Sequence, residues 1–262
     1  MQSNFDKRFL PVLLVSLIAA LAAPAHADVV LYSTGFENPP FTPGAIAGQD
    51  GWNVFGPGIS TVENTFVKSG SQAVFIDGGT ASQSGPYHSD SSTGPLVDLS
   101  ADIAIFTSTT QTEWQFAGVG PGLVGFLGGI NVLPNDQIQL ITPGFATLGL
   151  FPRATAFDST AWHHIDLLFN MLTQQYNVSL DGSTLASNVA FCGSNAGCSG
   201  ATVSTYDNGL FDSFGTGNDS AYMDNYQVSE AGAVPEPSYV LLLVAAFGGV
   251  VVLRRGFSKR LN

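Results

Sequence analysis

Any chemistry in this chain would have to come mainly from carboxylates, because histidine and cysteine are scarce. The glutamates are Glu37, Glu63, Glu113, Glu230 and Glu236, and none is followed two residues later by an aspartate. That spacing matters because alternate residues of a strand share one face, so a Glu-x-Asp pattern would seat the nucleophile and acid of a glycosidase side by side. No G-x-S-x-G elbow is present. The histidines are His26, His88, His163 and His164. His163 and His164 would point to opposite faces of a strand, and no H-E-x-x-H or C-x-x-C partner completes a zinc site. One packed and one solvated histidine is the expectation, and the chain is read as non-catalytic.

The placement of charge narrows the partners. Between Asp28 and Val234 only Lys68 and Arg153 stand against eighteen acids. Such a segment is repelled by phosphate backbones, which excludes nucleic acid as a partner and makes cations its natural complement. The four Asp residues of "DNGLFDSFGTGNDSAYMD", namely Asp207, Asp212, Asp219 and Asp224, lack EF-hand spacing.

Residues 1–27 read as a secretory signal peptide, helical in its apolar part. Lys7 and Arg8 precede an apolar run from Phe9 to Ala23, and Ala25-His26-Ala27 offers signal peptidase an A-x-A site before Asp28. Export by the general secretion machinery places the two cysteines, Cys192 and Cys198 in "CGSNAGC", where they can pair across a tight loop. A five-residue gap with no neighbouring histidine suits a metal poorly. The bridge is worth about 2 kcal/mol by chain entropy.

These residues must be positioned by strands. From Asp28 to about Ser229, short β-branched and aromatic runs alternate with Gly, Pro, Asn and Asp, without a long amphipathic helix. Strands are expected over Val29 to Thr34, Ala73 to Asp77, Asp102 to Ser108, Thr112 to Gly120, Gln137 to Thr142, His163 to Asn170, Gln175 to Leu180 and Ala221 to Ser229. Alternation at Ile165, Leu167 and Phe169, then Tyr176, Val178 and Leu180, then Leu185 and Val189, predicts a meander with a turn at Asp181-Gly182. The predicted fold over 28–230 is all-β, a two-sheet jelly-roll sandwich.

The stretch "WHHIDLLFNMLTQQYNVSLDGSTLASNVAF" with "AYMDNYQVS" resembles the laminin-G-like branch of the concanavalin A-like jelly rolls, as do "GFENPPF" and "GQDGWNV" near the front. The resemblance implies carbohydrate binding as the expected class of activity. It also implies a structural calcium held by an early glutamate and an aspartate of the last strand, positions occupied here by Glu37 and Asp224; turn capping by these acids is the alternative. Trp52, Trp114, Trp162, Tyr87, Tyr206 and Tyr222 are candidate stacking rings for sugar, though Trp and Tyr on alternating strands usually enter the core.

Residues 231–262 form a separate unit. Val240 to Leu253 gives 14 apolar residues, about 21 Å of helix against a hydrocarbon core of about 30 Å. Tyr239 and snorkelling by Arg254 and Arg255 lengthen it, predicting a transmembrane helix over 239–253 with the basic end 254–260 held in the cytoplasm. Pro235-Glu236-Pro237, the apolar helix and the Arg-rich end, in that order, resemble the PEP-CTERM sorting signal of Gram-negative bacteria. That resemblance implies transient residence in the inner membrane, processing near the tripeptide by an exosortase, and a cell-surface or extracellular product connected with exopolysaccharide and biofilm. The expected function is a non-enzymatic surface or matrix protein that binds polysaccharide. A hydrolase with an unrecognised site and a purely structural matrix component are the alternatives.

Overall fold

The structure, a computed structural model, describes residues 28–78, 83–106, 112–123, 125–133, 137–150, 161–193, 202–215 and 219–230. The signal peptide, with Ala25 and Ala27, and the sorting segment, with Pro235, Glu236, Pro237, Arg254 and Arg255, lie outside the described residues, as do Cys198 and Arg153. Within them the chain is all-β, with one short 3-10 turn at Pro121–Leu123.

The strands are β1 (Val29–Thr34), β2 (Gly44–Ala45), β3 (Trp52–Phe55), β4 (Ile59–Glu63), β5 (Ala73–Asp77), β6 (Gly85–Ser92), β7 (Leu96–Phe106) and β8 (Glu113–Val119). They continue with β9 (Phe126–Val132), β10 (Gln137–Leu140), β11 (Thr147–Leu150), β12 (His163–Asn170), β13 (Gln175–Leu180), β14 (Ser183–Ala190), β15 (Tyr206–Phe214) and β16 (Ser220–Glu230). Among the described residues they form two antiparallel sheets. One runs β14-β13-β12-β7-β16-β5-β4-β2 with β1 also on β16; the other runs β11-β10-β9-β8-β15-β6-β3. The expected jelly-roll sandwich is the fold.

The predicted meander β12-β13-β14 is present. Its second turn, Asp181-Gly182, takes positive φ at both residues (51° and 74°), the left-handed pair that a two-residue hairpin requires. Asp181 then reaches back, accepting from the His164 amide at 2.9 Å and meeting His163 Nδ1 at 2.7 Å.

β16 changes partner along its length. Ser220 to Met223 pair with β5, while Tyr226 to Glu230 pair with β1, and the register against β7 shifts between Asp224 and Gln227. Asn225 at this bulge has φ of 49°.

The core lies between the sheets because each contributes one apolar face. Leu99, Ile103, Ile165, Leu167, Phe169, Tyr176, Val178 and Val228 from the larger sheet meet Trp114, Phe116, Ile130, Val132, Ile138 and Phe211 from the smaller one. Tyr226, fully buried, donates to Asp90 Oδ2 at 3.2 Å, and Asp90 Oδ1 lies 2.8 Å from His88 Nδ1. His88 Nε2 faces the Asp50 carbonyl at 2.9 Å, and Tyr32 stacks on the ring at 3.8 Å. This polar string is satisfied internally, as a buried network must be.

Candidate functional site

On the smaller sheet, Trp114, Phe116 and Phe211 face the core, so the alternate residues Glu113, Gln115, Asp212 and Phe214 face outward. Cross-strand register then builds a polar row: Asp212 stands opposite Gln115, Gln115 opposite Asn131, and Asn131 opposite Gln139. Cross-strand partners share a face at about 5 Å. Gln83 Nε2 donates to Asp212 Oδ2 at 2.7 Å, Gln115 Nε2 to Asn131 Oδ1 at 2.9 Å, and Asn131 Nδ2 to Gln139 Oε1 at 3.3 Å.

The row faces away from the core, yet Gln115, Asn131 and Asp212 are buried. Gln115 and Asn131 form the floor of a cleft of about 410 Å3 walled by Phe126, Ile141, Phe145 and Phe214, with Gln83, Glu113 and Gln139 on its polar side. Next to the row lies a second apolar cluster of Ala117, Val119, Ile141, Cys192 and Leu210, with Tyr87 and Phe126 against it. A strip of amides beside a strip of rings matches the two kinds of surface on a sugar: equatorial hydroxyls and apolar C–H faces.

Two acceptors of the row are unsatisfied. Gln115 Oε1 and Asp212 Oδ1 are buried without a hydrogen-bond partner. Burial pushes the Asp212 carboxyl up to about 8; the Gln83 hydrogen bond opposes this, and the charge of Glu113 adds to it. Glu113 is a diagonal neighbour of Asp212 on the same face, and burial raises its carboxyl as well.

The residues singled out by the sequence fall elsewhere. Glu37 and Asp224 do meet, on one loop: Asp224 Oδ2 accepts the Lys68 and Ser69 amides at 3.1 and 3.0 Å, and Glu37 Oε1 accepts those of Ser71 and Gln72 at 2.7 and 3.2 Å. The Ser71 hydroxyl donates to Glu37 Oε2 at 2.5 Å. That hydroxyl bond, against the effect of burial, holds Glu37 below the usual carboxylate range. Burial lifts Asp224 to about 6 despite its amide donors. Among the described residues no group of three Asp, Glu, His or Cys side chains is arranged to hold a metal.

His163 is buried and His164 is about half exposed, paired with Asp102 at 3.1 Å. The Asp102 hydrogen bond raises the His164 imidazole. Trp52, Trp114 and Tyr206 are core residues. Trp162 and Tyr222 pack with Phe66 on the outer face of the larger sheet, and Tyr87 is half-buried beside Phe55. None of these six lines the cleft. Cys192 is fully buried and is not a free thiol; its backbone amide donates to the Leu127 carbonyl.

The cleft residues were missed because the sequence reading sought paired carboxylates and Trp or Tyr. The signal was there in "EWQ", an acid and an amide two apart, and in the isolated amides of "INV" and "QIQL" within otherwise apolar strands.

No protein-family model and no curated protein matches the chain. Solved structures do. It resembles a sialidase at TM-score 0.52 and 9% identity over 73% of this chain, and spans only 18% of that one. It resembles the cellulose-induced protein Cip1 at TM-score 0.50 and 17% identity, covering 76% of this chain and 97% of that one. A Bacillus subtilis protein of unknown function with a galectin-like fold matches at TM-score 0.51 and 10% identity, covering 77% and 96%. At these identities the likeness is one of fold, and the fold is a galectin-like, concanavalin A-like jelly roll.

Proposed function

We propose that the chain is a non-catalytic polysaccharide-binding protein whose ligand lies in the cleft of the smaller sheet. The observation that carries this reading is the in-register amide row Gln115-Asn131-Gln139 beside Phe126, Phe145 and Phe214. Amides offer both donors and acceptors to hydroxyls, and aromatic rings offer a flat apolar surface at low entropic cost. Asp212 and Glu113 are a carboxylate pair, but Asp212 has no exposed surface and lies under Gln83. An acid so placed is out of reach of a glycosidic oxygen, which favours binding over cleavage.

In the same proposal the domain is exported, released by signal peptidase before Asp28, held transiently in the inner membrane of a Gram-negative bacterium, and processed by an exosortase at Pro235 to Pro237. It would then serve on the surface or in the exopolysaccharide matrix of a biofilm. Calcium is proposed at Glu37 and Asp224, where each carboxylate has an oxygen with spare acceptor capacity.

The test is a glycan array with the wild type and Gln115→Ala. Saturable binding lost in the variant, with no turnover of the bound oligosaccharide, is the expected outcome. Turnover by the wild type would move the protein to the hydrolases. No binding to any glycan would leave a structural matrix role.

A further inference from the structure

The charge at the cleft points to a narrower ligand class, and this step rests on the polysaccharide reading above. Glu113 lines the cleft and is half-buried among Phe214 and its neighbours. Among the described residues its carboxylate has neither a hydrogen-bond nor an ion-pair partner. Among the described residues the one Lys or Arg is Lys68, whose loop is tied to β16 of the other sheet. Holding a carboxylate partly out of water with no counter-charge is costly.

The floor beneath repeats the pattern. Gln115, 4% exposed, lines the cleft, and its Oε1 is buried without a hydrogen-bond partner. Its Nε2 is already used on Asn131, and the Nδ2 of Asn131 on Gln139. One N–H of each of these two amides is thus spent within the row, while the Glu113 carboxylate lines the cleft as an acceptor with negative charge. A uronate or sulfate group would bring negative charge against Glu113. A neutral sugar would leave Glu113 uncompensated. An ammonium group supplies both the donors and the charge.

We infer that the cleft selects polysaccharides bearing protonated amino sugars, with Glu113 as the counter-charge. The ligand class is a glucosamine-type chain with free amines.

Calorimetry in mildly acidic, low-salt buffer would test this with glucosamine oligomers, their N-acetylated counterparts, cello-oligosaccharides and oligogalacturonate. The expected result is a preference of about tenfold for the aminated oligomer over the acetylated one, the scale of one charge-assisted hydrogen bond. Glu113→Gln, which keeps size and shape, should abolish that preference, so that aminated and acetylated oligomers bind the variant alike. The matched control is Glu63→Gln, the same charge change on β4 of the other sheet. If both variants weaken aminated binding equally, the attraction belongs to the whole acidic surface and the inference falls. Equal binding of aminated and neutral oligomers overturns the selectivity and leaves the polysaccharide reading standing. No binding by any oligomer overturns both.

Discussion

Glu37 and Asp224 hold one loop from its two ends: the aspartate takes the amides of Lys68 and Ser69, and the glutamate those of Ser71 and Gln72. Asp224 sits at the bulge where β16 passes from β5 to β1, so the loop is fixed at a seam of the larger sheet. Asp224→Ala orphans amides at this seam and is expected to cost about 2–3 kcal/mol in urea unfolding. The calcium proposal adds a second arm. Calcium should raise the melting temperature of the wild type over an EDTA-treated sample, and should fail to do so for Asp224→Asn. An unshifted wild type would assign the pair to the loop alone.

Asp212 gives a pH signature. Its folded-state carboxyl keeps a proton up to about 8, whereas in the unfolded chain an aspartate releases it near about 4. Between those values the folded state binds the extra proton, so stability falls as pH rises through the window. Asp212→Asn keeps the shape and removes the titration. Its melting temperature should exceed that of the wild type at about pH 8 and above, the two converging in acid. Parallel curves would mean that Asp212 is ionised in the fold.

Gly128 on β9 is a packing requirement. A Cβ there would lie 2.3 Å from the Tyr176 ring, whose hydroxyl is anchored to the Gly129 and Ile141 carbonyls at 3.0 Å each. The ring cannot retreat without breaking both bonds. Gly128→Ala should therefore destabilise by about 2–3 kcal/mol and loosen the strand that carries Asn131. A melting temperature within a degree or so of wild type would refute this.

The proposed pairing of Cys192 with Cys198 is tested in mass and in binding. The unreduced protein should weigh two hydrogens less than the reduced one. Reduction should cost about 2 kcal/mol and weaken glycan binding, because Cys192 packs in the cluster with Phe126 and Ile141 at the cleft's edge. Identical masses before and after reduction would dismiss the pairing.

Sorting is read from the mature protein recovered from its native host. The intact mass should end near Pro235 to Pro237; retention of everything through Asn262 would refute processing.

Strands with regular alternation were legible. β12 and β13 coincide with their expected bounds, since one face is apolar and the ends carry turn residues, and β1 and β5 coincide as β-branched and aromatic runs. β6 was hidden, because "GPYHSDSS" has the composition of a loop; its Asp90 and His88 are buried only by pairing with Tyr226 and one another. β15 was hidden in the same way, as "YDNGLFDSF" looks like an acidic turn until Asp212 is placed under Gln83. β7 begins earlier than expected, at Leu96, because Asp98, Ser100 and Asp102 are the outward half of an alternation that only the pairing with β12 reveals. The cleft was out of reach for a related reason. It is a relationship across four strands, and register between strands distant in sequence is not written in any one of them.

The last strand of the domain is also an interior strand: β16 lies between β7 on one side and β5 with β1 on the other. A chain synthesised or threaded through a narrow channel N-terminus first cannot close the larger sheet until Glu230 has emerged, because the seat between β7 and β5 stays empty until then. Folding is thereby deferred to the end of delivery, and the chain remains loose enough to thread for almost its whole passage. The pairing of Val29 with Glu230 then brings both ends of the finished domain out side by side, so that trimming at either end leaves the sandwich shut.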